Sequence, residues 1–243
     1  MLRFLNWLES LYTGRVKGYG DEYFRKNHLR LLRSPLGFVP RLYHRYVARL
    51  CMVGEATNPR GWKILDVGCG VGVLVSEMIR LGYDPTGIDV NEAAIRNSVA
   101  PSRCFLVEDS GRLPFAERSF DLVVSREVLE HIDEAAIDRC IEEWDRVGRG
   151  RMVHIIAVSE RGQSAYDDPT HVNVRPEAWW EETFRRHGYE RRKVKGVFHS
   201  QYGSTGYFVL DKVEAPPVSV APRSRRASAR PGAEVMAPPS RPS

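Results

Sequence analysis

Apolar and polar positions follow two rhythms along the middle of this chain. Short apolar runs bounded by glycine or turn residues read as strands buried on both faces, while apolar residues three and four apart read as amphipathic helices. In order they predict a strand over 63–67, a helix over 72–82, a strand over 83–88, a helix over 91–98, strands over 103–107 and 120–125, a helix over 133–146 and a strand over 151–158. Pro176 and Glu177 open a further helix at its preferred first-turn positions and Gly188 ends it. Strand-like stretches at 189–199 and 205–211 are then joined through Gln201-Tyr-Gly-Ser204 as a hairpin. Such alternation implies an α/β fold, a doubly wound and mostly parallel sheet covered on both faces.

The two ends have a different character. Residues 1–60 precede the first core strand, and Leu2, Phe4, Leu5, Leu8 and Leu11 are spaced to make one apolar helical face, so this region is expected to be an N-terminal helical cap on a domain spanning 61–212. Gly18-Tyr-Gly-Asp-Glu-Tyr-Phe24 combines glycines with aromatics, which suits a segment that folds over a substrate and suits an ordinary aromatic-anchored loop equally. Residues 213–243 are Pro, Ser, Ala and Arg with almost nothing to bury, and are expected to be disordered.

Composition narrows the function classes. The 243 residues carry a formal charge of +5, but five arginines against two glutamates in 213–243 account for +3 of it and leave +2 elsewhere. A body so nearly neutral lacks the broad basic footprint of a phosphate-gripping protein, which weighs against nucleic acid as a partner. Cys51, Cys69, Cys104 and Cys140 form no C-x-x-C pair, so neither a zinc knuckle nor a disulfide framework is indicated, and a reducing, cytoplasmic location is expected. No run of about eighteen apolar residues and no signal-peptide pattern is present, so neither a membrane span nor export is expected.

The chain is organised around Lys63-Ile-Leu-Asp-Val-Gly-Cys-Gly-Val-Gly-Val-Leu74, an apolar run broken by closely spaced glycines and resumed as an apolar helix. Gly68, Gly70 and Gly72 let backbone approach a ligand that side chains would exclude, and Asp66 stands at the strand's carboxyl end, where open α/β sheets bind ligands. The next strand ends in Gly87-Ile-Asp89, placing a carboxylate about twenty positions on, where it can grip a ribose diol. The Lys-Ser/Thr pair of a P-loop is missing.

Together with Glu108-Asp-Ser110, Leu113-Pro-Phe115 and Ser119-Phe-Asp-Leu-Val-Val-Ser125, these stretches resemble, in order and spacing, the signature of class I S-adenosylmethionine-dependent methyltransferases over roughly residues 60–160. The resemblance implies a seven-stranded Rossmann-like sheet with its last strand antiparallel. It also implies a cofactor-binding set of Asp66, Gly68, Cys69, Gly70, Asp89, Val90, Asp109, Ser110 and Ser125. Within it Asp66 and the glycine backbone would hold the amino-acid end of S-adenosyl-L-methionine, Asp89 the ribose hydroxyls and Asp109 the adenine amine. A turn-capping aspartate is the plainer role for Asp109.

Reaction type turns on Ser125-Arg-Glu-Val-Leu-Glu-His131. On a helical turn Glu127, Glu130 and His131 stand at i, i+3 and i+4, hence on one face, and two carboxylates with an imidazole can hold a divalent cation. Glu130-His131 alone is more simply a helix cap; Glu127 shifts that balance. The pattern resembles the metal site of ubiquinone-biosynthesis O-methyltransferases and of the 2′-O-methyltransferases that modify small-RNA 3′ ends. His171, in the polar loop Asp167-Asp-Pro-Thr-His171-Val-Asn173, is a fourth candidate ligand, with Asp167 or Asp168 as substitutes.

The expected activity is therefore S-adenosylmethionine-dependent O-methyl transfer, assisted by Mg²⁺ or Mn²⁺ on Glu127, Glu130, His131 and His171. His131 or His171 is the general base if no metal takes part. Two imidazoles are soft for Mg²⁺, which keeps Mn²⁺ open. The expected acceptor is a sugar, glycan or similar small molecule, because neighbouring hydroxyls chelate a cation and because the Arg-, Ala- and Pro-rich composition with a cap resembles bacterial glycan methyltransferases. Trp179, Trp180, Phe184, Tyr19, Tyr23 and Tyr202 are candidate stacking faces, although aromatics at helical spacing are more often core. RNA 2′-O-methylation and a nicotinamide-dependent oxidoreductase are the competing readings, the latter disfavoured by the hairpin ending and the motif around Asp109.

Overall fold

In a computed structural model of the protein, the described residues are 20–23, 29–52, 60–160, 170–194 and 205–213. After two short helical turns, the elements are α1 (Phe38–Leu50), β1 (Lys63–Val67), α2 (Val73–Arg80), β2 (Asp84–Asp89), α3 (Glu92–Arg96), β3 (Cys104–Leu106), β4 (Leu122–Arg126), a 3₁₀ turn (Leu129–His131), α4 (Glu134–Val147), β5 (Arg151–Ala157), α5 (Glu177–Arg186), β6 (Tyr189–Arg191) and β7 (Thr205–Lys212). The strands form one seven-stranded sheet in the order β3-β2-β1-β4-β5-β7-β6. Neighbours from β3 to β5 pair parallel, and β7 runs antiparallel to both β5 and β6. The strand order reverses beside β1, so the carboxyl ends of β1 and β4 flank the crevice where such sheets take their ligands.

Each strand's alternation sends residues to two cores. On one face Leu65, Val67, Val123, Met152 and Phe208 pack against Ile137, Ile141 and Trp144 of α4 and Trp180 and Phe184 of α5. On the other, Ile64, Leu122, Val124 and Val153 pack against Leu74 and Met78 of α2 and Val47 and Ala48 of α1. Glu77 is fully buried between the last two helices, its Oε2 2.8 Å from Arg45 Nε and its Oε1 3.4 Å from Arg80 and 3.8 Å from Arg41. Arg41 and Arg45 thereby tie α1, the best described part of the expected cap, to the sheet domain. The expected disordered tail lies, from residue 214 on, outside the described residues.

The differences from the sequence expectations are local. Helix α3 is shorter than 91–98 because Asn91 caps it, its side chain accepting from Ala93 N (2.9 Å) and Ala94 N (3.2 Å). Strand β6 is three residues long where 189–199 was expected, and the joint at Gln201–Ser204 lies outside the described residues, as do Leu2–Leu11. Trp180 and Phe184 are wholly buried in the α5 core, so they offer no stacking face, while Trp179 lies partly buried against that core under the Arg175 guanidinium. Among the described residues no helix is long and apolar enough to cross a membrane.

Gly87 of β2 shows how tightly the loop after β1 is seated. A Cβ there would meet Cys69 Cβ and Val75 Cγ2, each at 2.8 Å. Gly87→Ala is therefore expected to lower stability by roughly 1–3 kcal/mol in urea unfolding; an unchanged midpoint would show that the loop is loosely held.

Candidate active site

Strand β1 delivers Asp66 to the crevice with only 2% of its surface exposed, and its Oδ2 has no hydrogen-bond partner. Burial pushes this carboxyl up to about 8, the nearby Cys104 and Asp89 adding to the rise and Arg126 opposing it. The loop that follows is folded back on β2 by Gly68 N and Cys69 N, which both donate to Ile88 O (2.8 and 2.9 Å). Gly68 has φ +71°, and a Cβ on it would stand 2.3 Å from Val128 Cγ2, so no side chain fits. Gly70 has φ +54° with open space where a Cβ would stand, a bare stretch of backbone that a ligand can lie along. The Cys69 side chain is buried and packs beneath the loop against Gly87, leaving its backbone to face a ligand.

Asp89 ends β2 half-buried. Its Oδ2 accepts from Gly70 N (2.8 Å) and its Oδ1 from Asn91 N (2.8 Å), and burial raises its pKa against those bonds. Each oxygen keeps a second acceptor direction, as gripping a diol requires. Val90 beside it is 59% exposed, an apolar surface at the crevice edge. Asp109 Oδ1 caps Gly111 N (2.8 Å), its Oδ2 pairs with Arg139, and both interactions pull its pKa down. Ser110 turns inward, Oγ 3.6 Å from Cys140 Sγ and its carbonyl accepting from Trp144 Nε1 (2.9 Å). Ser125 is likewise committed to the core, where its Oγ bonds His154 Nδ1 at 2.8 Å. Burial drives His154 down to about 3, so that ring is neutral.

The second half of the site lies past β4. Glu130 is fully buried in the 3₁₀ turn; its Oε1 accepts from Ala157 N (2.9 Å) and its Oε2 has no hydrogen-bond partner. Burial lifts its pKa to about 8, with Glu127 adding to the rise. Two contacts draw the loop after β5 onto this turn: Asn173 N donates to Glu130 O (2.9 Å), and His131 Nδ1 lies 3.1 Å from Thr170 O. A proton on Nδ1 satisfies that carbonyl and puts the ring's lone pair on Nε2. His171 consequently meets His131 edge-on, ring centroids 4.6 Å apart. Ligand atoms of Glu130, His131 and His171 all lie within 4.8 Å of one another, a spacing one cation can bridge.

Glu127 is not part of that group. Its amide still belongs to the sheet, donating to Ile155 O (2.8 Å), and it then takes φ +54° to turn the chain. The helical face that i, i+3, i+4 spacing requires therefore does not exist here, and the Glu127 side chain, 52% exposed, lies 3.7 Å from Arg126 Nη1 instead. Asp167, Asp168, Tyr19 and Tyr202 lie outside the described residues, and the Tyr23 side chain is undescribed.

Sequence reasoning missed Arg126 itself. Its side chain is only 17% exposed at the end of β4, where its Nη2 reaches His44 Nε2 of α1 (3.3 Å) and its guanidinium lies over the Tyr43 ring. Nothing in the local pattern pointed to it, since its partner is 82 residues away.

Residues 65–153 match the methyltransferase domain family. Among curated proteins, a ubiquinone biosynthesis O-methyltransferase of Mesorhizobium japonicum is 33% identical over 117 residues, 44% of this chain and 45% of that one. Its counterpart in Nitrosococcus oceani is 40% identical over 95 residues, 35% of this chain and 39% of that one. The chain thus spans less than half the length of these relatives. Among solved structures, the magnesium protoporphyrin IX methyltransferase of Synechocystis with bound S-adenosylmethionine superposes with a TM-score of 0.55 at 16% identity, covering 86% of this chain and 97% of that one. A Burkholderia thailandensis 1,6-didemethyltoxoflavin-N1-methyltransferase gives 0.56 at 18%, covering 83% and 93%. At such identities the shared property is the fold. The family match and the seven-stranded sheet identify a class I S-adenosylmethionine-dependent methyltransferase domain.

The two buried carboxyls have a consequence for stability. With folded values of about 8 against ordinary values of 3.8 and 4.5, Asp66 and Glu130 keep protons that the unfolded chain has lost. The folded state therefore binds more protons between those limits, and stability falls as pH rises across that window. Asp66→Asn is expected to flatten the decline between pH 5 and pH 8 by roughly 2–4 kcal/mol, read from urea unfolding at each pH. An identical slope in the variant would mean that Asp66 ionises as an exposed aspartate does.

Proposed function

We propose that this class I methyltransferase moves the methyl group of S-adenosylmethionine to a hydroxyl of a small molecule, with a divalent cation held by Glu130, His131 and His171. The observation that carries the reading is the convergence of those three side chains at the same carboxyl end of the sheet as Asp66 and the glycine loop. The names of the curated relatives support oxygen as the methylated atom.

The residues suit both groups. In this reading Asp66, buried with an unbonded oxygen, would answer an ammonium, the bare backbone at Gly70 would admit the donor's chain, Asp89 would take the ribose hydroxyls, and Val90 and Asp109 would be left for the base. Glu130 Oε2, buried with no hydrogen-bond partner, answers a cation, and one carboxylate with two imidazoles suits Mn²⁺ or another transition ion better than Mg²⁺. When bound, the cation lowers the pKa of an acceptor hydroxyl. His131, fixed through Thr170, and His171 orient the group, and without a cation either ring can take the hydroxyl proton at a ring nitrogen. The carbonyl–imidazole contact and the buried Glu130 keep these groups preorganised, so the reaction depends on alignment of acceptor oxygen and methyl more than on chemistry by the protein.

The acceptor that fits is a hydroxyl flanked by a second oxygen. A sugar diol meets that condition, and so do adjacent hydroxyls on the ring of a quinone precursor, the class suggested by the relatives' names. Beyond the chelating geometry that both share, the sugar reading has only composition and the cap behind it, so the ring diol is the acceptor to assay first.

Enzyme freed of metal by chelation is expected to lose methyl transfer to an ortho-dihydroxy ring and to regain it with Mn²⁺; full activity in chelator would overturn the metal's part. Glu130→Gln should cut kcat by roughly 10²-fold or more. Glu127→Gln, at an exposed ion pair, should change it by less than about threefold. Equal losses in the two would restore Glu127 to the ligand set.

A further inference from the structure

Helix α1 has a face that the sheet does not use. Val39, His44, Val47 and Ala48 are its buried residues, whereas Phe38, Leu42, Arg45 and Arg49, spaced i, i+4, i+7 and i+11, form a stripe along its outer side. Phe38 is 61% exposed and Leu42 44%, and Leu36, just before the helix, is 40% exposed. Large apolar side chains scattered singly over a surface are ordinary. Three between positions 36 and 42 make a patch.

Charge identifies what the patch meets. Residues 29–52 contain Arg30, Arg33, Arg41, Arg45 and Arg49, and no Asp or Glu. Helix α2 supplies a single carboxylate, the buried Glu77, which Arg41, Arg45 and Arg80 all approach. Three guanidiniums therefore share one negative charge, and Arg30, Arg33 and Arg49 add further exposed cations. Arginines beside exposed Leu and Phe match an anionic lipid surface, whose headgroups take the guanidiniums and whose acyl boundary takes the apolar side chains. A nucleic acid would answer the charge and leave Leu36 and Leu42 in water. The apolar Leu2–Leu11 segment, in which Glu9 offsets Arg3, would cover the apolar side chains and leave the arginines unanswered.

We propose that the outer face of α1, built on Leu36, Phe38 and Leu42 with Arg30, Arg33 and Arg49, docks the protein on an anionic phospholipid surface. The contact is peripheral, since no helix among the described residues is long and apolar enough to cross a membrane. It uses none of the donor or metal residues and stands independently of the function proposed above. The same helix touches Arg126 at the crevice through His44, so the docking face and the site share one element.

The test is co-sedimentation of the full chain with phosphatidylcholine vesicles that contain either no anionic lipid or about one third phosphatidylglycerol. The protein is expected to bind the anionic vesicles roughly tenfold or more tightly than the neutral ones, and to lose that preference as salt rises. Phe38→Ser combined with Leu42→Ser should weaken binding by roughly tenfold or more. Arg33→Gln combined with Arg49→Gln should weaken it by roughly fivefold to thirtyfold, on the anionic vesicles alone. Both double variants should keep the wild-type unfolding midpoint and affinity for S-adenosylhomocysteine, because all four side chains are exposed and lie outside the donor and metal sets. Vesicle binding that survives both double variants belongs to the Arg-rich residues 223–241 and overturns the proposal. So does a wild-type protein that stays in the supernatant, or one retained on oligouridylate and not on vesicles. A lowered midpoint or a lost dimer in the Phe38, Leu42 double variant also overturns it, by giving the face to another part of the chain or to a second copy.

Discussion

Two carboxyl groups kept out of water without a full set of partners govern this crevice. Asp66 and Glu130 are 2% and 0% exposed, and each has one oxygen with no hydrogen-bond partner. Burying a carboxylate in that condition costs more than protonating it, so the protein holds both as acids near neutral pH and forgoes stability as pH rises. At Asp66 nothing in the packing of the sheet requires an acid, since Ile64 fills the equivalent place one step deeper on the same face, whereas Glu130 has one structural bond, to Ala157 N, and a second oxygen with none. A cost without a structural return belongs to a site that a ligand completes.

The fold brings the two groups to the same carboxyl end of the sheet. Parallel strands β1 and β4 are neighbours, and their shared carboxyl edge is where the glycine loop and the 3₁₀ turn both begin. Val128 links them, its side chain occupying the space that Gly68 leaves empty. A single contact thus sets the height of the donor loop against the turn that carries Glu130 and His131. The loop after β5 closes the arrangement through Asn173 N and Thr170 O, two backbone contacts that deliver His171. Helix α1 approaches from the other side of the sheet and fixes Arg126. The crevice is therefore built from rigid ends of elements, which suits a reaction whose main demand is alignment.

Much of this was legible in the amino-acid pattern, and the misses have definite causes. Strands β1 and β4 announce themselves because a strand buried on both faces is largely apolar, and the acid that interrupts β1 at Asp66 then stands out, whereas β2 is legible mainly from Gly87-Ile-Asp89 at its end. The glycine loop is legible for the same reason: only positive φ and the close approach of Val128 and Cys104 account for glycine at 68 and 72. Glu127 was misplaced because i, i+3, i+4 spacing presumes a helix, whereas the chain stays in the sheet ladder through Ile155 O and then takes a left-handed turn. Periodicity marked Trp180 and Phe184 as one face without saying which way it points, and the core claimed it. The His44–Arg126 contact spans 82 residues and leaves no local trace at all.

The account turns on Asp66 being an acid until a ligand arrives. Calorimetric titration of S-adenosylhomocysteine at pH 7 in buffers of different ionisation enthalpy measures that directly. About one proton should be released for each ligand bound, and Asp66→Asn should abolish the release. Binding with no proton released would mean that the carboxylate is already ionised in the empty crevice, and would contradict the account.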